Sequence, residues 1–297
     1  LEGKKIQAYH IGFILAPCLN ASGKLDTAKR ALALLRAKTE READMLAGDL
    51  KALNESRRDM TDRVVDEAMA KVEQTDIRGD KVLVIYLPDC HESLAGLVAG
   101  RVRENYYRPV FVLTDSEDGV KGSGRSIESY SMYEELTGCG DLLTKFGGHP
   151  MAAGLSLDKE NVEKFKRRLN DQCTLSEEEL TEKVVIDMEL PFAAITEQFI
   201  EELEYMEPFG KGNTKPVFAA RGVVMQHVKI IGKNKNVAKA TAIDVAGNRM
   251  EAICFHDAQE FAERCEKNNG KMSITFYPGI NEFRGERQIQ IVITHYR

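Results

Sequence analysis

Between Asp26 and Glu73 the chain holds no proline and a single glycine, Gly48, while apolar residues return at Leu46, Leu50, Leu53, Met60, Val64 and Ala68. That spacing predicts helix. An unbroken helix over 26–75 would span on the order of 70 Å, with Asn54-Glu55-Ser56 as the place for a break. A helix this long bridges domains. After Asp80 the pattern changes: KVLVIYL (81–87) reads as a buried strand, HESLAGLVAGRVRENYY (91–107) returns to helical spacing, and RPVFVLT (108–114) is a second buried strand. Strand, helix and strand in that order predict a βαβ unit in a parallel sheet. GVKGSGRSI adds a short glycine-rich strand, SMYEELTGCGDLLTKF one or two helices, and MAAGLSL a further strand before the charged helix KENVEKFKRRLNDQ. Residues 76–173 are therefore predicted as an α/β domain.

Residues 174–206 read as a bridge, with an acidic run at Glu177-Glu178-Glu179 and a helix from about Thr196 to Met206. It ends in EPFGKGNTKPVF (207–218), where Pro208, Gly210, Gly212 and Pro216 mark a boundary by backbone chemistry alone. Beyond it lie β-rich stretches near 217–231, 237–245, 249–255, 271–277 and 287–296, with a helical stretch at 257–267 between the third and fourth. Five strands with a helix in that place are the plan of an OB-fold barrel. In RQIQIVITHY, Ile289, Ile291 and Ile293 alternate with more polar neighbours, as one buried face requires.

Composition narrows the picture. The chain has 297 residues, which predicts two or more domains. No apolar run approaches the ~20 residues of a membrane span, and the first 25 residues read as folded polypeptide rather than as a signal peptide. The first residue is Leu1, so the chain is expected to be a piece of something longer. Six scattered cysteines without Cys-x-x-Cys spacing fit reduced thiols in a cytoplasm. The formal charge of −6 hides a segregation, because residues 207–297 carry 14 Lys+Arg against 9 Asp+Glu. The C-terminal region is basic and the rest strongly acidic.

Three stretches have candidate chemistry. In KFGGHPMAAGLSL (145–157), Gly147, Gly148, Ala152, Ala153 and Gly154 permit a close backbone approach. His149 there is either a donor to a phosphate or a buried, hydrogen-bonded histidine of a tight turn. In GSGRSI, Ser123 and Arg125 alternate on one side of an extended segment, as a phosphate site or an ordinary edge strand would have them. In PCLNASGKLD, Asn20, Ser22, Gly23 and Lys24 precede the long helix, which Asn20 or Asp26 would cap. His91 reads as a first-turn residue with Asp89 as the cap. No histidine pair or carboxylate cluster falls at metal-ligand spacing, no Walker lysine motif is present, and Gly-x-Ser-x-Gly is absent.

Taken together, IGFILAPCLNASGKLDTA, HESLAGLVAGRVRENYYRPVFVLT, GSGRSI, FGGHPMAAGLSL and EPFGKGNTKPVF, in that order, resemble the RecJ family of single-strand-specific DNA exonucleases in the Asp-His-His phosphoesterase superfamily. The resemblance implies the end of a catalytic DHH domain at 1–25, a connecting helix at 26–75, a DHH-associated α/β domain at 76–173, a bridging segment at 174–206 and an OB-fold nucleic-acid-binding domain at 207–297. It makes His149, with Gly147 and Gly148, a substrate-side element, and Ser123 and Arg125 the holders of a terminal phosphate, with Asn20 and Lys24 beside them. Lys24 stands where the family usually has arginine, and Cys18 departs from the family's arginine after that proline.

The implied reaction is 5′ to 3′ hydrolysis of single-stranded DNA in recombination and repair, by water activated on Mn²⁺ or Mg²⁺. The metal ligands would belong to an upstream domain, so the chain alone is expected to be inactive. Single-stranded DNA is the implied partner, with a single-strand-binding protein and a helicase as protein partners. Lys229, Lys233, Lys235 and Lys239 around one hairpin, and Arg284 and Arg287 around another, would neutralise its phosphates. Tyr277 and Phe283 either stack bases or fill the barrel core, and the core is the expectation. The alternatives are a binding module without catalysis, for single strands or for a docked protein, and a phosphoesterase of short oligonucleotides or cyclic dinucleotides.

Overall fold

The computed structural model describes residues 6–297 except Asp26, Lys233, His256 and Arg284, with the backbone alone at Leu25 and Phe283. Its internal contacts divide the chain into two units, Leu1–Glu182 and Lys183–Arg297.

In the first unit a π-helical turn, His10–Leu15, runs into α1 (Ala16–Leu25), followed by α2 (Lys29–Arg36) and α3 (Glu40–Gln74). The single helix expected over 26–75 is thus two helices. The chain turns at Ala37, and Thr39 caps α3: its hydroxyl accepts from the Glu42 N–H at 3.3 Å, while the Glu42 carboxylate accepts from the Lys38 N–H at 3.2 Å. This reciprocal cap resembles a capping box. Asn54 does not break α3. Its side chain is buried and accepts from Arg57 Nη2 at 2.9 Å, on the same side of the helix as Leu50, Thr61, Ala68 and Val72.

The sheet follows with β1 (Leu83–Tyr86), α4 (Glu92–Tyr106), β2 (Val110–Ser116), β3 (Gly119–Arg125), α5 (Met132–Thr137), β4 (Leu143–His149), β5 (Ala152–Leu157) and α6 (Val162–Gln172). Strand order is β1-β2-β3-β5-β4. Only the βαβ pair β1/β2 is parallel; β3, β5 and β4 join antiparallel. The stretch at Lys145-Phe146, expected as the end of a helix, is part of β4. Alternate β2 residues feed two cores. Val110 and Val112 pack with Leu94, Val98 and Val102 of α4 and with Val72 of α3, and Phe111 and Leu113 pack on the other face with Leu155, Met132 and Phe165. The first part of the bridge is tied to this unit, since Lys81 Nζ donates to the Leu175 carbonyl and Arg108 Nη1 to that of Leu180, each at 2.6 Å.

The second unit contains β6 (Met188–Glu189), α7 (Glu197–Glu204), β7 (Phe218–Ile231), β8 (Val237–Ile243), β9 (Arg249–Cys254), α8 (Ala258–Lys267), β10 (Lys271–Phe283) and β11 (Glu286–Tyr296). The pairings β7-β8-β9-β11-β10 close back on β7, giving a five-stranded OB barrel around Phe218, Val223, Phe261, Phe276, Ile291 and Ile293. The boundary expected at 207 lies earlier: β6 pairs with β7, and the buried Asp244 carboxylate accepts from the Phe192 N–H at 3.1 Å. β10 also continues through Pro278 and Gly279, where the sequence pattern stopped. Past Phe276, β10 is paired with β11 and no longer with β7, so Pro278 lies where one edge of the strand has no ladder to lose. No helix among the described residues is long and apolar enough to cross a membrane.

Candidate nucleic-acid interface

Residues directly opposite each other in antiparallel strands point to the same face. Three such rows cross β4, β5 and β3: His149–Ala152–Arg125, Gly147–Gly154–Ser123 and Lys145–Ser156–Lys121. They face the side on which α4 lies, because a Cβ added at Gly96 of α4 would stand 2.8 Å from Arg125 Nη2, and Lys121 Nζ lies 2.7 Å from Glu92 Oε2. The reverse face explains the other glycines of GSGR. A Cβ at Gly122 would fall 2.4 Å from Leu113 Cδ2, and one at Gly124 would fall 2.4 Å from Met132 Sδ. Gly122 and Gly124 serve the core, and Ser123 and Arg125 serve the open face.

The open face holds a cleft of 440 Å³ at the start of α4, lined among others by Ser93, Lys121, Ser123, Lys145, Gly147 and Ser156. His91 is itself the N-cap of α4, accepting from the Ser93 N–H at 3.3 Å, which corrects the expectation that Asp89 caps. Arg125 is half-buried, its Nη1 donates to the Gly124 carbonyl at 2.8 Å, and no carboxylate pairs with it among the described residues. Burial, and then the nearby Arg103, press its pKa below the usual arginine value. A desolvated guanidinium without a counter-charge is an anion site.

His149, the last residue of β4, is exposed, so the buried-histidine alternative does not hold. Gly148 has φ +155°, and a Cβ there would lie 2.4 Å from the Ala152 carbonyl oxygen, while one at Gly147 would meet nothing within 4 Å. Gly148 is needed by the turn, and Gly147 leaves space. Asn20 and Lys24 lie within α1, one turn apart and exposed, not in a capping loop as expected. α1 packs on α2, α3 and α4, and no hydrogen bond joins Asn20 or Lys24 to Ser123 or Arg125 among the described residues.

On the barrel, Lys229 of β7 and Lys239 of β8 are direct cross-strand partners, and Lys235 stands in the turn between these strands. Lys233, Arg284 and the Phe283 side chain fall outside the described residues. Two of the cations expected to meet the strand are ion-paired. Lys239 Nζ lies 2.6 Å from Glu251 Oε2, and Arg287 lies 3.4 Å from Glu197 and 3.6 Å from Glu201 of α7. These cations border a 650 Å³ groove with Asn281, Glu286 and Gln288. Contrary to expectation, Tyr277 is not in the core; Phe276 fills that place, and Lys215 Nζ sits 3.7 Å from the Tyr277 ring centre.

Sequence reasoning missed Lys121, Lys145, Gly96 and Lys215. The first two carried a signal, since Lys145, Gly147 and His149 alternate as Lys121, Ser123 and Arg125 do. No group of three or more His, Cys, Asp or Glu side chains among the described residues could hold a metal ion.

A model of the DHHA1 domain matches residues 79–175, and a model of the RecJ OB domain matches residues 186–295. The single-stranded-DNA-specific exonuclease RecJ of Bacillus subtilis is 34% identical over 287 residues, 95% of this chain and 36% of that protein. The protein of the same name in Escherichia coli is 32% identical over 302 residues, 98% of this chain and 52% of its own length. The crystal structure of RecJ in complex with Mg²⁺ from Thermus thermophilus shares the fold, with a TM-score of 0.80 at 24% identity over 99% of this chain and 44% of that one. The chain therefore spans about a third to a half of the length of these relatives. With both domains matched in order, the chain belongs to the RecJ family, of which it carries the DHHA1 and OB domains.

Proposed function

We propose that these 297 residues form the strand-holding part of a single-stranded-DNA-specific exonuclease that works 5′ to 3′ in DNA recombination and repair. The observation that carries this reading is the half-buried Arg125 guanidinium, without a carboxylate partner among the described residues, beside Ser123 on a face floored by Gly147 and Gly154. Arg125 and the Ser123 hydroxyl hold the terminal phosphate by charge-assisted hydrogen bonds. His149 stands in the same row as Arg125, with Ala152 between them, where it donates to a phosphate oxygen, and Gly147 lets the strand approach the backbone. Asn20 and Lys24 add polar contacts from α1, and Lys229 and Lys235 add positive charge on the barrel beside Lys239, whose charge Glu251 balances.

RecJ of Thermus thermophilus was crystallised with Mg²⁺ and with Mn²⁺. The described residues of this chain do not fit either ion, because none of them group as ligands. In this reading the described residues bind and orient the strand, and metal-activated hydrolysis uses ligands that they do not supply.

The test is titration of the chain with a 5′-phosphorylated single strand over a series of salt concentrations, with cleavage followed in Mn²⁺. Binding that weakens steeply with salt, without cleavage, is expected. Binding indifferent to salt would point to an apolar docking surface. Cleavage lost on His149→Ala would place the catalytic machinery within this chain.

A further inference from the structure

The third row of the open face, Lys145–Ser156–Lys121, has a chemistry that the terminal-phosphate site does not use. Lys145 owes its place to a β-bulge: β4 pairs Leu143 with Leu157 but Lys145 with Ser156, so Thr144 is the extra residue. Without the bulge Thr144 would oppose Ser156, and Lys145 would turn to the opposite face. The row stands about 7 Å along the strands from the Ser123 row and about 13 Å from the Arg125–His149 row.

Its two cations are not equivalent. Lys121 is balanced by Glu92, 2.7 Å away, whose hydrogen bond and charge raise the lysine pKa and lower that of the glutamate. The Lys145 side chain is exposed and makes no ion pair or hydrogen bond among the described residues. It borders the 440 Å³ cleft with the hydroxyl-bearing residues Ser93, Ser123 and Ser156. An ammonium without a counter-charge beside several hydroxyls is suited to a phosphate, which accepts from both.

We infer that Lys145, with Ser156, is a second phosphate subsite, which takes an internal phosphate of the strand whose terminal phosphate is held at Ser123 and Arg125. The inference rests on the strand-holding reading above. The Lys121–Glu92 pair forms the far wall of the cleft and contributes little charge of its own.

The experiment is titration of the 297-residue chain with thymidine 5′-phosphate and with 5′-phosphorylated trithymidylate over a salt series. Lys145→Ala is expected to weaken the trinucleotide about tenfold and to reduce the slope of log K against log salt by about 0.7. It leaves the mononucleotide, which has only the terminal phosphate, unchanged. Lys145→Arg restores trinucleotide binding, and Lys121→Ala costs it about twofold at most, by the small worth of an exposed ion pair. Equal losses for both ligands, no loss for the trinucleotide, or an equal loss in Lys121→Ala would overturn the subsite. If the trinucleotide depends on Arg125 but not on Lys145, the subsite alone falls. If the wild-type chain binds neither ligand, the strand-holding reading falls with it.

Discussion

Arg125 of β3 and His149 of β4 point to the same face from either side of Ala152, which pairs with both. The floor between a guanidinium and an imidazole is thus one methyl group and bare backbone. Further along, Gly147 and Gly154 keep it clear.

That floor separates the roles of the two adjacent glycines. Gly147→Ala meets no atom within 4 Å, so thermal unfolding should show stability unchanged or raised by up to about 1 kcal/mol, while strand binding weakens. Gly148→Ala faces φ +155° and the Ala152 carbonyl, and should cost about 2 kcal/mol or more. Equal melting temperatures for the two variants would contradict this assignment.

Gly96 positions Arg125 from across the cleft. A methyl there would press within 2.8 Å of Nη2, and the guanidinium, as the end of a flexible chain, would swing away. Gly96→Ala should therefore keep its fold by circular dichroism and lose single-strand affinity about as far as Arg125→Ala does, roughly tenfold. An unaltered affinity in Gly96→Ala would show that the position of Arg125 does not matter.

Much of this was legible in the sequence, and the exceptions have physical causes. The barrel strands β7, β8, β9 and β11 start and end within about two residues of where alternation and turn residues put them, because each buries one face. β4 was missed because Gly147 and Gly148 remove the side chains whose alternation would reveal a strand, leaving Phe146 as its one large apolar residue after Leu143. The α2–α3 break was written in Thr39 and Glu42 but lay inside a stretch whose helical spacing continues on both sides. The open face of β3 was read from Ser123 and Arg125. That Arg287 is held by Glu197 and Glu201 has no local signal, since it depends on where α7 lands on the barrel.

Those two glutamates balance Arg287, and in the proposed reading they compete with the strand's phosphates for it. Replacing both, Glu197→Gln with Glu201→Gln, should tighten single-strand binding about two- to fivefold at low salt and change stability by less than about 1 kcal/mol, the scale of exposed ion pairs. Weaker binding in the double variant, measured by titration, would mean that the pairing orders Arg287 for the strand and does not compete with it.

Asp244 ties the start of the second unit to the barrel. Burial pushes its carboxyl up, but hydrogen bonds from the Asn248 side chain and from the N–H groups of Asn248, Phe192 and Ala246 outweigh this and hold its pKa below the ordinary value. A depressed folded-state pKa gives stability that is fully present above the unfolded value of about 3.9 and is lost as pH falls through the folded value. Asp244→Asn should cost about 1–3 kcal/mol near neutral pH and flatten the acid limb of the stability profile. Parallel profiles for variant and wild type below about pH 4 would contradict it.

The most direct measurement compares the affinity of the chain for one single strand with a 5′-phosphate and the same strand with a 5′-hydroxyl, in the wild type and in Arg125→Ala. The phosphate should strengthen wild-type binding about tenfold, and Arg125→Ala should abolish that preference. Equal affinity for the two strand ends in the wild type, or a preference that survives in Arg125→Ala, would contradict a terminal-phosphate site on β3.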